Sequence, residues 1–118
     1  MEIDYKYNAT VTRVVDGDTL DVIIDLGFHI DIHERVRLEG IDTPETYGVK
    51  KDSPEYMKGI ESKQYIQNRL AMNDMECKIQ TTKTEKYGRW LATIWLADTF
   101  KTLNEELVER GLAKYVNY

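Results

Sequence analysis

Cysteine, proline and long apolar runs are all scarce in this sequence of 118 residues, which contains one cysteine and two prolines. A single cysteine excludes an internal disulfide. No run approaches the ~20 consecutive apolar residues of a membrane-spanning helix. Without repeats or low-complexity segments, the chain is expected to form one domain over residues 1–118. Residues 1–8 show no secretory signal core, which favours a cytoplasmic bacterial or phage-encoded protein over a secreted one.

Positive charge is also in deficit, because 16 basic residues face 21 acidic ones and the formal net charge is −5. This balance argues against a polyanionic partner that is bound by bulk electrostatic attraction. It does not exclude nucleic acid, since a divalent cation can neutralise converging carboxylates at the point where a phosphate binds.

Three segments in the first third of the chain have the composition of β-strands. They are rich in β-branched residues and span residues 9–15, 19–26 and 30–38. The turn formers Asp16-Gly17 and Leu26-Gly27 separate them. The pattern predicts a three-stranded antiparallel meander.

The rest of the chain predicts two helices and two more strands. Residues 43–54 are polar and rich in turn formers, residues 60–70 have helical spacing, and residues 75–82 and 90–97 are strand-like. Thr102 and Glu105 have the spacing of a capping box, and Gly111 is placed to end that second helix. The fold class is therefore α+β, mainly β: a five-stranded Greek-key barrel with two helices, its strands expected to be antiparallel because several connections are too short for crossovers.

Three separate segments carry side chains that are suited to phosphate chemistry: VDGDT at 15–19, RLEGIDTPE at 37–45 and KYGR at 86–89. The first and the last could each be an ordinary turn. The middle segment groups Arg, Asp and Glu at the end of a strand, which are the parts of a hard-cation site beside a phosphate clamp. Phosphodiester hydrolysis needs a cation, a carboxylate for water, and guanidinium groups for the developing charge. The three segments together contain all of these.

The order VDGDT, RLEGIDTPE, KYGR and NEELVERGLAKY resembles the staphylococcal nuclease (thermonuclease) family over residues 9–114. The resemblance implies an OB-fold barrel and a calcium-dependent nuclease of DNA, with RNA as a second candidate substrate, that leaves 3′-phosphate ends. It implies that Asp18, Asp42 and the carbonyl of Thr43 bind Ca²⁺, with Asp16 nearby as a secondary carboxylate that is not itself a ligand. Glu45 then positions or deprotonates the attacking water.

The same resemblance assigns the phosphate contacts. Arg37 and Arg89 correspond to the two clamping arginines, and Lys86 and Tyr87 correspond to contacts with the terminal phosphate of the nucleotide. Two other functions stay open at this point: a non-catalytic nucleic-acid or protein-binding module on the same barrel, and a ligand-binding OB domain. A degenerate module is expected to have lost at least one of these carboxylates or arginines, and none is replaced here.

Overall fold

A computed structural model describes residues 4–46, 48–84 and 88–116 of the chain. These residues form seven strands and two helices, in the order β1 (Lys6–Asp16), β2 (Thr19–Asp25), β3 (Asp31–Leu38), β4 (Ile41–Asp42), α1 (Pro54–Ala71), β5 (Glu76–Thr84), β6 (Trp90–Trp95), α2 (Leu103–Glu109) and β7 (Lys114–Tyr115). The five long strands and both helices confirm the predicted α+β fold. No helix within these ranges is both long and apolar enough to cross a bilayer.

The long strands close into a barrel in the order β1-β2-β3-β6-β5. The meander of β1, β2 and β3 is antiparallel as predicted, but β3 and β6 run parallel, with Val36 opposite Trp90 and Leu38 opposite Ala92. The expectation of antiparallel pairing throughout was therefore wrong at this pair. The reason is one of parity: strand direction cannot alternate all the way around a closed ring of five strands.

The core lies inside the barrel and beneath the two helices. Val36, Leu38 and Ile79 are fully buried in the barrel, and Ile66 of α1 and Leu107 of α2 are fully buried against it. The lone cysteine, Cys77, is buried as well, and burial raises the pKa of its thiol to about 12. A thiol with that pKa remains protonated at neutral pH, so it offers no nucleophile.

Helix α1 begins six residues before the predicted segment 60–70. Ser53 is its N-cap and accepts a hydrogen bond from the amide of Tyr56, and Pro54 occupies the first turn, where its missing amide is no loss. Before Gly59 the first turns are exposed or only partly buried, so the apolar periodicity of the sequence shows only the later part of the helix. In α2, the capping box of Thr102 and Glu105 is present as predicted.

A network of charged side chains joins the two helices. Arg69 of α1 donates to Asp98 at 2.7 Å and to Glu106 of α2 at 3.0 Å, and its side chain is 13% exposed. Tyr65 donates to Glu106, and Asn73 donates to Asp98. The guanidinium therefore has several acceptors, which lowers the cost of removing it from water.

This network predicts a pH-dependent contribution of Asp98 to stability. Hydrogen bonding to Arg69 lowers the pKa of Asp98 from 3.8 to about 2, so the interaction stabilises the fold above pH 3.8 and is lost as the pH falls towards 2. Asp98→Asn should lower the melting temperature at neutral pH, and its difference from the unmodified protein should shrink between pH 4 and pH 2. Thermal melts across this range measure it, with the exposed Asp52→Asn as control; a difference that is constant with pH would contradict the assignment.

Candidate active site

Asp16 and Asp18 flank Gly17 in the tight turn between β1 and β2, and both are buried. One carboxylate oxygen of Asp16 accepts hydrogen bonds from the amide of Gly17 at 2.9 Å and from the hydroxyl of Thr46 at 3.0 Å. Asp16 therefore joins this turn to the loop that follows β4. That loop also contains Glu45.

Arg37, near the end of β3, connects the carboxylates of Asp18 and Asp42. Its Nη2 atom donates to Asp18 Oδ2 at 3.2 Å and to Asp42 Oδ1 at 3.1 Å. The side chains of Arg37 and Asp18 are only 12% and 11% exposed, whereas that of Asp42 is 49% exposed. The β1–β2 turn and β4 thus meet at one guanidinium nitrogen of β3.

Arg89 contacts the same turn through the hydroxyl of Thr19, a residue that was not among those predicted for the site. Its Nη1 atom donates to Thr19 Oγ1 at 3.4 Å, and Thr19 in turn donates to Asp18 at 3.2 Å. Thr19 is buried, and it directly follows Asp18 in the VDGDT segment. Its place in that motif was the available signal, but its role as an intermediary depends on the position of Arg89, 70 residues later.

Glu45 lines a depression that brings together several of the side chains predicted for the site, while Asp42 and Thr43 line a second depression beside it. The lining of the first depression includes Asp16, Asp18, Arg37, Glu45 and Arg89. The pKa of Glu45 is raised, first by partial removal from water and then by repulsion from the neighbouring aspartates. Lys86 and Tyr87, the two other predicted phosphate contacts, lie outside the described residues.

The oxygen atoms around Arg37 match the chemistry of a hard cation. Asp18 and Asp42 each place a carboxylate oxygen within 3.2 Å of the same nitrogen of Arg37, and the amide nitrogen of Thr43 lies 3.5 Å from Asp18 Oδ2. The hydroxyl of Thr43 is buried without a hydrogen-bond partner in the described structure. Calcium binds carboxylates, carbonyls and water, at about 2.3–2.6 Å. Nowhere in residues 4–46, 48–84 and 88–116 do three or more His, Cys, Asp or Glu side chains gather in a metal-binding arrangement. A cation here would therefore depend on backbone oxygens as well as the two carboxylates.

Two glycines allow α1 to pack directly on this site. A Cβ atom on Gly17 would lie 2.7 Å from Thr43 Oγ1 and 3.0 Å from Ser62 Cβ, and one on Gly59 would lie 2.7 Å from the carbonyl oxygen of Pro44. Gly59 is also close to the carbonyl of Glu45, where an added Cβ would come within 3.1 Å. Both contacts join segments that are distant in the sequence, so no local sequence pattern predicts them.

The family model described as staphylococcal nuclease homologue matches residues 35–118. The chain belongs to the staphylococcal nuclease family. This confirms the resemblance that was drawn from the four sequence segments, and the closed five-stranded barrel with two helices is consistent with the OB-fold expected of the family.

Named relatives in this family include two thermonucleases and one endonuclease. Thermonuclease of Staphylococcus intermedius is 38% identical over 104 residues, and thermonuclease of Staphylococcus hyicus is 34% identical over the same length. Each alignment covers 88% of this chain and 56% of the relative, so the chain spans about half the length of these proteins. Endonuclease YhcR of Bacillus subtilis is 30% identical over 92% of this chain and 9% of its own length.

Because Gly59 contacts the loop of Glu45, we predict that Gly59→Ala lowers the stability of the fold, although glycine-to-alanine changes in helices usually raise it. Alanine normally stabilises a helix by about 0.5–1 kcal/mol relative to glycine. Here its methyl group would collide with Pro44 O and Thr46 Cγ2, and overpacking should instead lower the free energy of unfolding by about 1–3 kcal/mol.

Urea denaturation measures this change, and Glu61→Ala at an exposed position of the same helix is the control. Unchanged or increased stability of Gly59→Ala would show that the helix does not press on the loop.

Proposed function

We propose that the chain is a calcium-dependent nuclease that hydrolyses phosphodiester bonds of DNA, with RNA as a second candidate substrate, and leaves 3′-phosphate ends. The observation that carries the proposal is the shared depression in which Asp18, Arg37, Glu45 and Arg89 meet. The named thermonucleases and the endonuclease support the same reaction class. A non-catalytic binding module would not need a carboxylate placed beside two arginines.

Glu45 is the residue proposed to act on water. Its ionised carboxylate would orient a water molecule or accept its proton as the water oxygen attacks phosphorus in line with the departing 5′-oxygen. The bond from phosphorus to O5′ then breaks, and the phosphate stays on the 3′-oxygen of the other fragment. A raised pKa suits this role, because a general base is most effective when its pKa lies closer to the working pH.

Arg37 and Arg89 are proposed to bind the phosphate under attack. A guanidinium group can donate two parallel hydrogen bonds to phosphate oxygens and stays protonated at any working pH. Arg37 is oriented by Asp18 and Asp42, and Arg89 is oriented by Thr19. Such preorganised donors stabilise the negative charge that develops on the equatorial oxygens around the pentacoordinate phosphorus.

Asp18, Asp42 and the carbonyl of Thr43 would hold Ca²⁺, with Asp16 nearby as a secondary carboxylate. When bound, the ion would polarise a phosphoryl oxygen and offset its growing negative charge. Lys86 and Tyr87 remain in the proposal as contacts with the terminal phosphate of the nucleotide.

The direct test is cleavage of single-stranded DNA with calcium and with a chelator. Activity should be lost with the chelator, and Arg89→Ala and Glu45→Gln should each reduce kcat by about 100- to 1,000-fold. These two positions are better choices than Arg37, since removing Arg37 would leave the buried Asp18 without its salt bridge.

Arg110→Ala, at the exposed end of α2, is the matched control and should retain full activity. Cleavage that persists without any metal would contradict the proposed chemistry, and wild-type protein that binds DNA without cutting it would favour the binding module.

The metal assignment also predicts a stability change that does not depend on catalysis. Calcium at about 100 times its Kd should stabilise the fold by about 2.7 kcal/mol, because it binds only where Asp18 and Asp42 are brought together. Melting temperatures with increasing calcium measure this. Asp42→Asn should remove the increase while Asp52→Asn retains it. An increase that survives in Asp42→Asn would place the ion elsewhere.

A further inference from the structure

Glu45 lines two depressions of the surface. The first is the proposed active site with Arg37 and Arg89. The second lies where α1 faces the loop after β4, and it is lined by Lys58 and Lys114 together with the proposed calcium ligands Asp42 and Thr43. Because Glu45 lines both depressions, a linear polymer that crosses the active site can continue directly into the second depression.

The backbones of the two lysines are fixed beside this loop. Lys114 lies in β7, where it is the register partner of Asp42 in β4. Lys58 precedes Gly59 in α1, and Gly59 packs against the carbonyls of Pro44 and Glu45. Both side chains are exposed, so their ammonium groups are available to a ligand at the surface.

The ammonium groups of these two lysines are not paired with neighbouring carboxylates in the described part of the chain. Among the described residues, neither Lys58 nor Lys114 forms an ion pair within 4 Å, whereas Lys101 is paired with Glu109 at 2.7 Å. The same depression contains Asp42, Glu45 and Glu55. A polyanionic strand that passes over these carboxylates would be repelled unless cations lie along its path.

We infer that Lys58 and Lys114 bind a second phosphate of the substrate. This phosphate is the neighbour of the scissile phosphate held by Arg37 and Arg89, and it lies in the second depression that Glu45 lines. This inference rests on the proposed function and specifies its substrate as a single strand of nucleic acid longer than a dinucleotide. Lysines contact phosphates as point charges, so the subsite reads the backbone and not the bases.

The test compares Lys58→Gln/Lys114→Gln with Lys78→Gln/Lys101→Gln, which removes the same two charges elsewhere on the surface. Fluorescence anisotropy with calcium and a slowly cleaved phosphorothioate octathymidylate measures Kd. The first variant should weaken binding by about tenfold and reduce the slope of log Kd against log salt by about 0.7, the value for one phosphate contact on a single strand. The control should stay within twofold of the wild type.

A second arm measures kcat and KM on ordinary octathymidylate and on the dinucleotide dTpdT, which has only the scissile phosphate. The lysine variant should raise KM for the octamer and leave KM for the dinucleotide unchanged.

Equal Kd values for the two double variants, or an equal loss of activity on both substrates, would overturn the inference. A wild type that binds the octamer but cleaves nothing would instead refute the proposed function, and the binding arm would still test the lysines. Melting curves check folding, and the single lysine variants substitute for a double variant that fails to fold.

Discussion

The guanidinium group of Arg37 is the point at which three parts of the chain are held together. It lies on β3 and donates to Asp18 in the β1–β2 turn and to Asp42 in β4. Arg37 and Asp18 are nearly buried, and removing such charges from water costs several kcal/mol unless they are paired. The pairing therefore constrains the turn, the strand end and β4 to one arrangement, and the remaining features of the site are built around it.

Helix α1 supports this arrangement from behind. Gly17 and Gly59 have no side chain, so the helix can lie directly against the β1–β2 turn and the loop of Glu45. Ser62, fully buried on the same helix face, donates to the carbonyl of Leu112 and so also joins α1 to the segment leading into β7. The position of Glu45 relative to Arg37 thus depends on backbone contacts of a helix that carries none of the residues proposed for catalysis or calcium binding.

The net charge of −5 is distributed so that it does not oppose a nucleic-acid substrate uniformly. Arg69 is committed to Asp98 and Glu106 between the helices, and Lys101 to Glu109. Lys58 and Lys114 stand beside Glu45 without such partners in the described structure. Local placement of charge, and not its total, is what governs the approach of a polyanion, since solvent and salt screen distant charges.

The sequence alone determined the five long strands, the two helices, the family and the set of residues proposed for the reaction, because periodicity, turn chemistry and ordered motifs are local signals. Only the tertiary structure decided the parallel pairing of β3 with β6, the joining of β4 to β7 and the approach of Gly59 to the Glu45 loop. It also placed Lys58 and Lys114 beside Glu45. The physical reason is that barrel closure and helix packing bring together groups that are tens of residues apart, and no local pattern encodes such distances.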